Sequence, residues 1–155
     1  MKPKEEISHV GGMTDKFDVL SIPFNVHLQI SRPKQGEDAL LVLEDRPIYK
    51  NHLGSGHAGA LFALAEGSGG EFLLSKISSL PFEILPVVRK SEVKYKKPAQ
   101  GRVISRGVID EEEWKSFLAQ LEKKGRAGLT VGVELFDETE ANVASFSFDW
   151  FIAKK

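Results

Sequence analysis

Eight consecutive small or apolar residues, Ala58-Gly59-Ala60-Leu61-Phe62-Ala63-Leu64-Ala65, leave this chain few folds to choose from. The run has no polar face. A helix built from it must be buried on all sides rather than laid on a surface. A polar, glycine-rich turn precedes it, Asn51-His52-Leu53-Gly54-Ser55-Gly56-His57, and suits a close backbone approach to a ligand. The run ends in Glu66, a carboxylate with no basic residue beside it. Gly67-Ser68-Gly69-Gly70 would ordinarily stop a helix. Phe72, Leu73, Leu74 and Ile77 nevertheless resume a helical apolar pattern, and glycines suit a helix against which something packs closely. The reading is one long helix from about His57 to Ile77.

The flanks read mostly as strands. In Ile22–Ser31, Phe24, Val26, Leu28 and Ile30 alternate with Asn25, His27 and Gln29, which predicts a half-buried strand. Leu40–Glu44 predicts a short strand and Leu85–Lys97 a longer one. Pro98-Ala99-Gln100-Gly101 predicts a hairpin into a return strand, Arg102–Ile109. Asp110 and Glu113 have capping-box spacing at the start of a helix whose apolar face is Trp114, Phe117, Leu118 and Leu121, and Gly125 ends it. Leu129–Leu135 and Ala144–Ile152 alternate as the last two strands, with a turn at Asp137–Asn142. Short connections make the late strands consecutive antiparallel neighbours. Met1–Gly12 reads as a loose or helical lead-in. One buried helix against one curved antiparallel sheet is an α+β layout. Such a helix needs more cover than one sheet face gives, so either the sheet wraps it or a second subunit covers the rest.

Composition narrows the function. The 155 residues fit one domain with a sizeable core. A net charge of −1 argues against a general affinity for nucleic acid or anionic membrane. No cysteine is present, which excludes disulfides, thiolate metal sites and a Cys nucleophile. The charged Met1–Glu6 lacks a signal-peptide core, and no apolar run is of spanning length, so a cytoplasmic protein is expected. Four His without Cys give no metal-spaced cluster, and no nucleophile elbow or Walker loop appears.

This layout is similar to the hotdog fold, an antiparallel sheet wrapped around a long central helix. The key segment resembles the PaaI-like, phenylacetate-pathway-type acyl-CoA thioesterases. Their pattern is an Asn, a glycine turn, His-Gly-Gly, a small-residue helix start and then Asp or Glu; Asn51, Gly54, His57, Gly59 and Glu66 match it. Ala58 replaces the first Gly of His-Gly-Gly, Glu66 stands where many of these enzymes carry Asp, and the helix inserted at 110–124 is longer than the simplest members need. The resemblance implies a divergent branch working as a homodimer or dimer of dimers, with the acid facing a site shared with the neighbouring subunit. It implies acyl-CoA as substrate and no bound cofactor.

On that reading the backbone N–H groups of Ala58 and Gly59, at a helix N-terminus, would stabilise a developing oxyanion. Glu66 would act as base on water or attack the carbonyl itself. Each group also has a plainer reading. His57-Ala58-Gly59 is equally a helix start, and Glu66 a solvated residue beside Gly67. Asn51 holds the attacking water or simply shapes a turn, and His57 orients the loop or is structural. Gly54, Ser55 and Gly56 form the substrate-facing turn. Lys94, Lys96, Lys97, Arg102 and Arg106 either bind coenzyme A phosphates or keep a strand edge soluble. Ser75, Ser78 and Ser79 line the partner's site or are solvated. Two other functions compete: an acyl-thioester dehydratase using His52 and Glu66, without the proline-rich segment that follows the His in such enzymes, and a non-catalytic acyl-binding protein.

Overall fold

The computed structural model describes residues 17–155, so the expected lead-in at Met1–Gly12 lies outside the described residues. Its elements are α1 (Pro23–His27), β1 (Val42–Leu43), α2 (Ala58–Ile77), β2 (Ile84–Tyr95), β3 (Val103–Val108), α3 (Glu111–Lys124), β4 (Arg126–Phe136) and β5 (Asn142–Lys154). The strands form one antiparallel sheet in the order β1-β3-β4-β5-β2. The sheet curls around α2, which packs on β3, β4 and β5. This is the hotdog fold.

The central helix runs unbroken through its glycines. Ala and Leu favour the helix, whereas each interior Gly costs about 1 kcal/mol. A methyl group added at Gly67 or Gly70 would lie 3.4 Å from Val19, and one at Gly69 would lie 3.5 Å from Phe148. Those are contact distances, so the neighbours fit a nearly bare backbone there and leave no room for anything larger than Ala. Phe62 packs edge-on against Phe146 and Phe148, each at 5.7 Å. The Ser68 hydroxyl donates to the Leu64 carbonyl and lies 2.6 Å from the Ser105 hydroxyl on β3. This buried pair fixes how α2 is rotated against the sheet. Two residues of helix turn a side chain by about 200°, which aims Glu66 away from β3.

Three expectations need correction. Ile22–Ser31 is not a strand. Pro23 opens the short helix α1, where its fixed φ suits the first turn. Asn25 is buried and donates to the Val19 carbonyl at 3.0 Å, while Phe24 and Val26 are 60% and 56% exposed. The alternation was genuine in composition, but the helix leaves Phe24 and Val26 in solvent while Leu28 and Ile30 pack on the core. The segment reaches the sheet only by an isolated bridge, Ser31 to Val42.

Pro98–Gly101 is not a hairpin. β2 pairs with β5, Val93 opposite Phe146, and β3 pairs with β4. The connection crosses from one edge of the sheet to the other over the β4–β5 turn. There Gln100 N–H donates to Asp137 Oδ2 at 2.9 Å and Glu138 N–H to the Gln100 carbonyl at 3.2 Å. A turn signal shows that the chain bends but not which strand it will pair with.

The capping box is half formed. Asp110 accepts from Glu113 N–H at 2.8 Å, but the Glu113 carboxylate accepts from Thr130 N–H on β4, also at 2.8 Å. β3 ends opposite Gly132, so Thr130 lies beyond it and its N–H would otherwise lack a strand partner. The inserted helix α3 thus finishes the sheet where β3 stops, with Phe117 and Leu121 buried beneath it.

Candidate active site

Asn51 organises the turn before α2. Its side-chain oxygen accepts from Leu53 N–H at 2.9 Å and Ser55 N–H at 3.1 Å, and its amide donates to the buried Ser55 hydroxyl at 3.0 Å. Gly54 has φ +76°, which a side chain would resist. Gly56 N–H donates to the Ala99 carbonyl at 2.9 Å, and His57 N–H to the Tyr49 carbonyl at 2.7 Å. The turn is therefore locked to both the crossing connection and the segment before it.

His57 is the N-cap of α2. Its Nδ1 accepts from Gly59 N–H at 2.9 Å, so in this state the imidazole carries its proton on Nε2. A Cβ at position 59 would lie 3.1 Å from the imidazole ring, which explains a glycine there, whereas Ala58 is exposed. The Ala58 and Ala60 N–H groups have no partner among the described residues.

A pocket of about 380 Å³ opens at this helix start, lined by Asn51, Ser55, Ala58, Leu61, Tyr95 and Lys97 among others. Tyr95 was not foreseen. At the end of β2, its hydroxyl donates to the Ala58 carbonyl at 3.2 Å and its ring packs edge-on against Phe146. Partial burial pushes its phenol pKa up, so the hydroxyl stays a donor. The only sequence signal was strand alternation, which puts Tyr95 on the same face as Val93.

Of the predicted residues, the pocket gathers Asn51, Ser55, Gly56, Ala58, Lys96 and Lys97. His57, Gly59 and Gly54 sit beside it without lining it. His52 is exposed on the turn. Glu66 is the exposed residue in an otherwise covered stretch of α2, and it makes no hydrogen bond or ion pair among the described residues. Lys94 is exposed, and Lys96 lies 3.9 Å from Glu134. Arg102 is held elsewhere: Glu37 and Glu44 clamp its guanidinium, and the Glu37 hydrogen bonds push its pKa further up. Arg106 pairs with Asp38 at 3.4 Å. Neither arginine reaches the pocket.

A second, larger hollow of about 660 Å³ lies at the other end of α2. Leu74, Ile77, Leu80, Phe82 and Ile84 line its apolar part, Ser75 and Ser78 also border it, and Arg32 paired with Asp18 and Glu71, together with Glu83 and Lys155, supplies a charged part. Among the described residues no group of three or more His, Asp or Glu could hold a metal ion, and no helix is long and apolar enough to cross a membrane.

The model of a family described as a domain of unknown function, DUF4442, matches residues 22–152. The chain belongs to the DUF4442 family. No curated protein matches it. Several solved structures share its fold. A Pseudomonas aeruginosa protein of unknown function, described as a probable thioesterase, is 24% identical with a TM-score of 0.70 over 88% of this DUF4442 chain and 91% of its own. A Bacillus halodurans protein solved with CoA is 19% identical with a TM-score of 0.60, over 81% and 72%. A hypothetical thioesterase from Streptococcus pneumoniae, solved with coenzyme A, is 18% identical with a TM-score of 0.56, over 79% and 84%. At these identities the likeness shows the hotdog fold of the DUF4442 chain.

Proposed function

We propose that this DUF4442 protein hydrolyses an acyl thioester of coenzyme A in a site shared by two copies of the chain. The observation that carries this reading is the unpaired, exposed Glu66 on a helix whose other side is buried and whose N-terminus offers free N–H groups. The oxyanion donors would be the Ala58 and Gly59 amides, and Glu66 the base. Water adds to the thioester carbonyl as Glu66 takes its proton. The resulting oxyanion rests on the helix N–H groups, the C–S bond breaks, and the thiolate leaves with that proton.

One chain cannot supply both parts to one carbonyl. Glu66 lies seven residues past Gly59, about 10 Å along the helix axis, whereas the reacting group must lie about 3 Å from both donor and base. Antiparallel pairing of two β2 edges about a two-fold axis would set the Ile84 end of one copy against the Tyr95 end of the other. The apolar part of one protomer's hollow would then adjoin the loop pocket of its partner and take the acyl chain. Lys96 and Lys97 stand at the mouth of that pocket, where coenzyme A phosphates would enter. Structural neighbours solved with coenzyme A support the choice of carrier.

The test is thiol release from short, long and aromatic acyl-CoAs by wild type and Glu66→Gln. Turnover by wild type with a loss of about a hundredfold or more in the variant is expected. Turnover that survives the substitution would move the base elsewhere, and no turnover on any thioester would favour the acyl-binding function instead.

A further inference from the structure

The peptide unit between Ala58 and Gly59 is held from both sides by side chains. On its carbonyl, the Tyr95 hydroxyl donates at 3.2 Å. On its N–H, His57 Nδ1 accepts at 2.9 Å. A donor placed on an amide carbonyl polarises the whole unit and strengthens the N–H at its other end. Tyr95 is anchored for this task by its edge-on packing on Phe146, 5.9 Å between ring centres. It also belongs to the open edge strand and to the wall of the loop pocket, so substrate would pass directly over it.

We infer that Tyr95 is a positioning residue of the proposed thioester site. Its hydroxyl orients and polarises the Ala58–Gly59 peptide so that the Gly59 N–H faces the incoming carbonyl oxygen. The His57 imidazole is the resting acceptor that this oxygen displaces. The inference rests on the hydrolase reading, because only a reaction that builds negative charge at this amide gives the polarised N–H a task. It also explains the motif departure at this point: Ala58 contributes its carbonyl to Tyr95 and tolerates a methyl group, whereas position 59 must be bare for the imidazole to lie against its N–H.

Tyr95→Phe removes the hydroxyl and keeps the ring. In the variant the Gly59 amide proton signal should move upfield in a ¹H–¹⁵N spectrum, with the melting temperature within about 2 °C of wild type. With a turned-over acyl-CoA, kcat should fall about tenfold, the worth of one neutral hydrogen bond, and KM should change less than twofold. A Gly59 signal that stays in place, or a wild-type kcat, overturns the assignment. A raised KM at unchanged kcat overturns it too, since Tyr95 would then touch substrate rather than act through the peptide. A wild type that hydrolyses no thioester defeats the hydrolase reading and the catalytic role with it, while the amide shift still reports whether Tyr95 holds the peptide.

Discussion

The two edges of the sheet are treated in opposite ways. On one side the edge is closed off. β1 is only two residues long, the Ser31 bridge extends it, and α3 reaches over with Glu113 to satisfy Thr130 N–H where β3 stops. On the other side β2 is a twelve-residue strand paired only with β5, and it shows Leu85, Val87, Val93 and Tyr95 to solvent. A long apolar edge invites pairing, and proteins that must stay single blunt it. Here one edge is covered by other parts of the chain, and the other stays open, with Pro86, Lys90, Lys94 and the bulge between Val88 and Lys90 interrupting its exposed apolar side chains. The difference separates the side of the molecule that only has to be stable from the side on which the proposed shared site depends.

Breaking the open edge should have the largest effect. Val87→Lys with Val93→Lys would place charges on β2 and leave the core untouched. The double variant is expected to run as a monomer by light scattering and to lose nearly all thioester hydrolysis, because each loop pocket loses the partner's Glu66. A dimer that survives with full activity would put the interface elsewhere.

Ala58→Pro sharpens the same side at the level of one atom. Proline is well tolerated at the first helical position and removes only the N–H, so a loss of about a hundredfold in kcat without a change in melting temperature is expected.

The closed edge should respond in stability alone. Glu113→Ala strands the Thr130 N–H and should cost about 1–3 kcal/mol in chemical unfolding, with oligomeric state and KM unchanged.

The connection between the two edges gives a smaller effect that depends on pH. Burial would raise the Asp137 pKa, but the Thr139 hydroxyl and the backbone N–H groups of Gln100 and Thr139 outweigh it and hold the carboxyl below its usual value. A group depressed in the folded state adds stability above its unfolded pKa, about 4, and loses it as pH falls through the lower folded value. The melting temperature of wild type should therefore exceed that of Asp137→Asn at neutral pH, and the gap should close as pH falls below about 4. A gap independent of pH would mean that shape rather than charge at Asp137 holds the crossing.

How far the sequence disclosed this follows the range of the interactions. Elements set by local chemistry were legible. The expected bounds of α2 agree with its His57 cap and its end at Ile77. Asp110 and Gly125 bracket α3, with Gly125 at φ +72° as a left-handed cap requires. The alternation of β4 and β5 appears unchanged as alternating burial. Features decided by distant partners were not legible. Nothing local in Ile22–Ser31 reveals that Asn25 would be drawn inward to the Val19 carbonyl, and nothing in Pro98–Gly101 reveals that β2 would pair with β5. In the site, the motif singled out Asn51, His57, Gly59 and Glu66, and a turn-shaping Asn51 was one of its two readings, but it did not disclose that His57 already occupies the Gly59 N–H. Arg102 drew notice as a cation in a basic stretch, and its carboxylate partners lie 58 and 65 residues away. Tyr95 was hidden for the same reason, 37 residues from the carbonyl it holds.

The most direct test of a site shared between two chains is complementation. Ala58→Pro and Glu66→Gln chains, each inactive alone, would be refolded together in equal amounts and assayed for thiol release. Half of the randomly formed dimers would be mixed, and each of these would hold one intact site, so about a quarter of wild-type activity should return. Mixtures as inactive as the separate variants would contradict the shared site, because a site contained within one chain is broken in every copy.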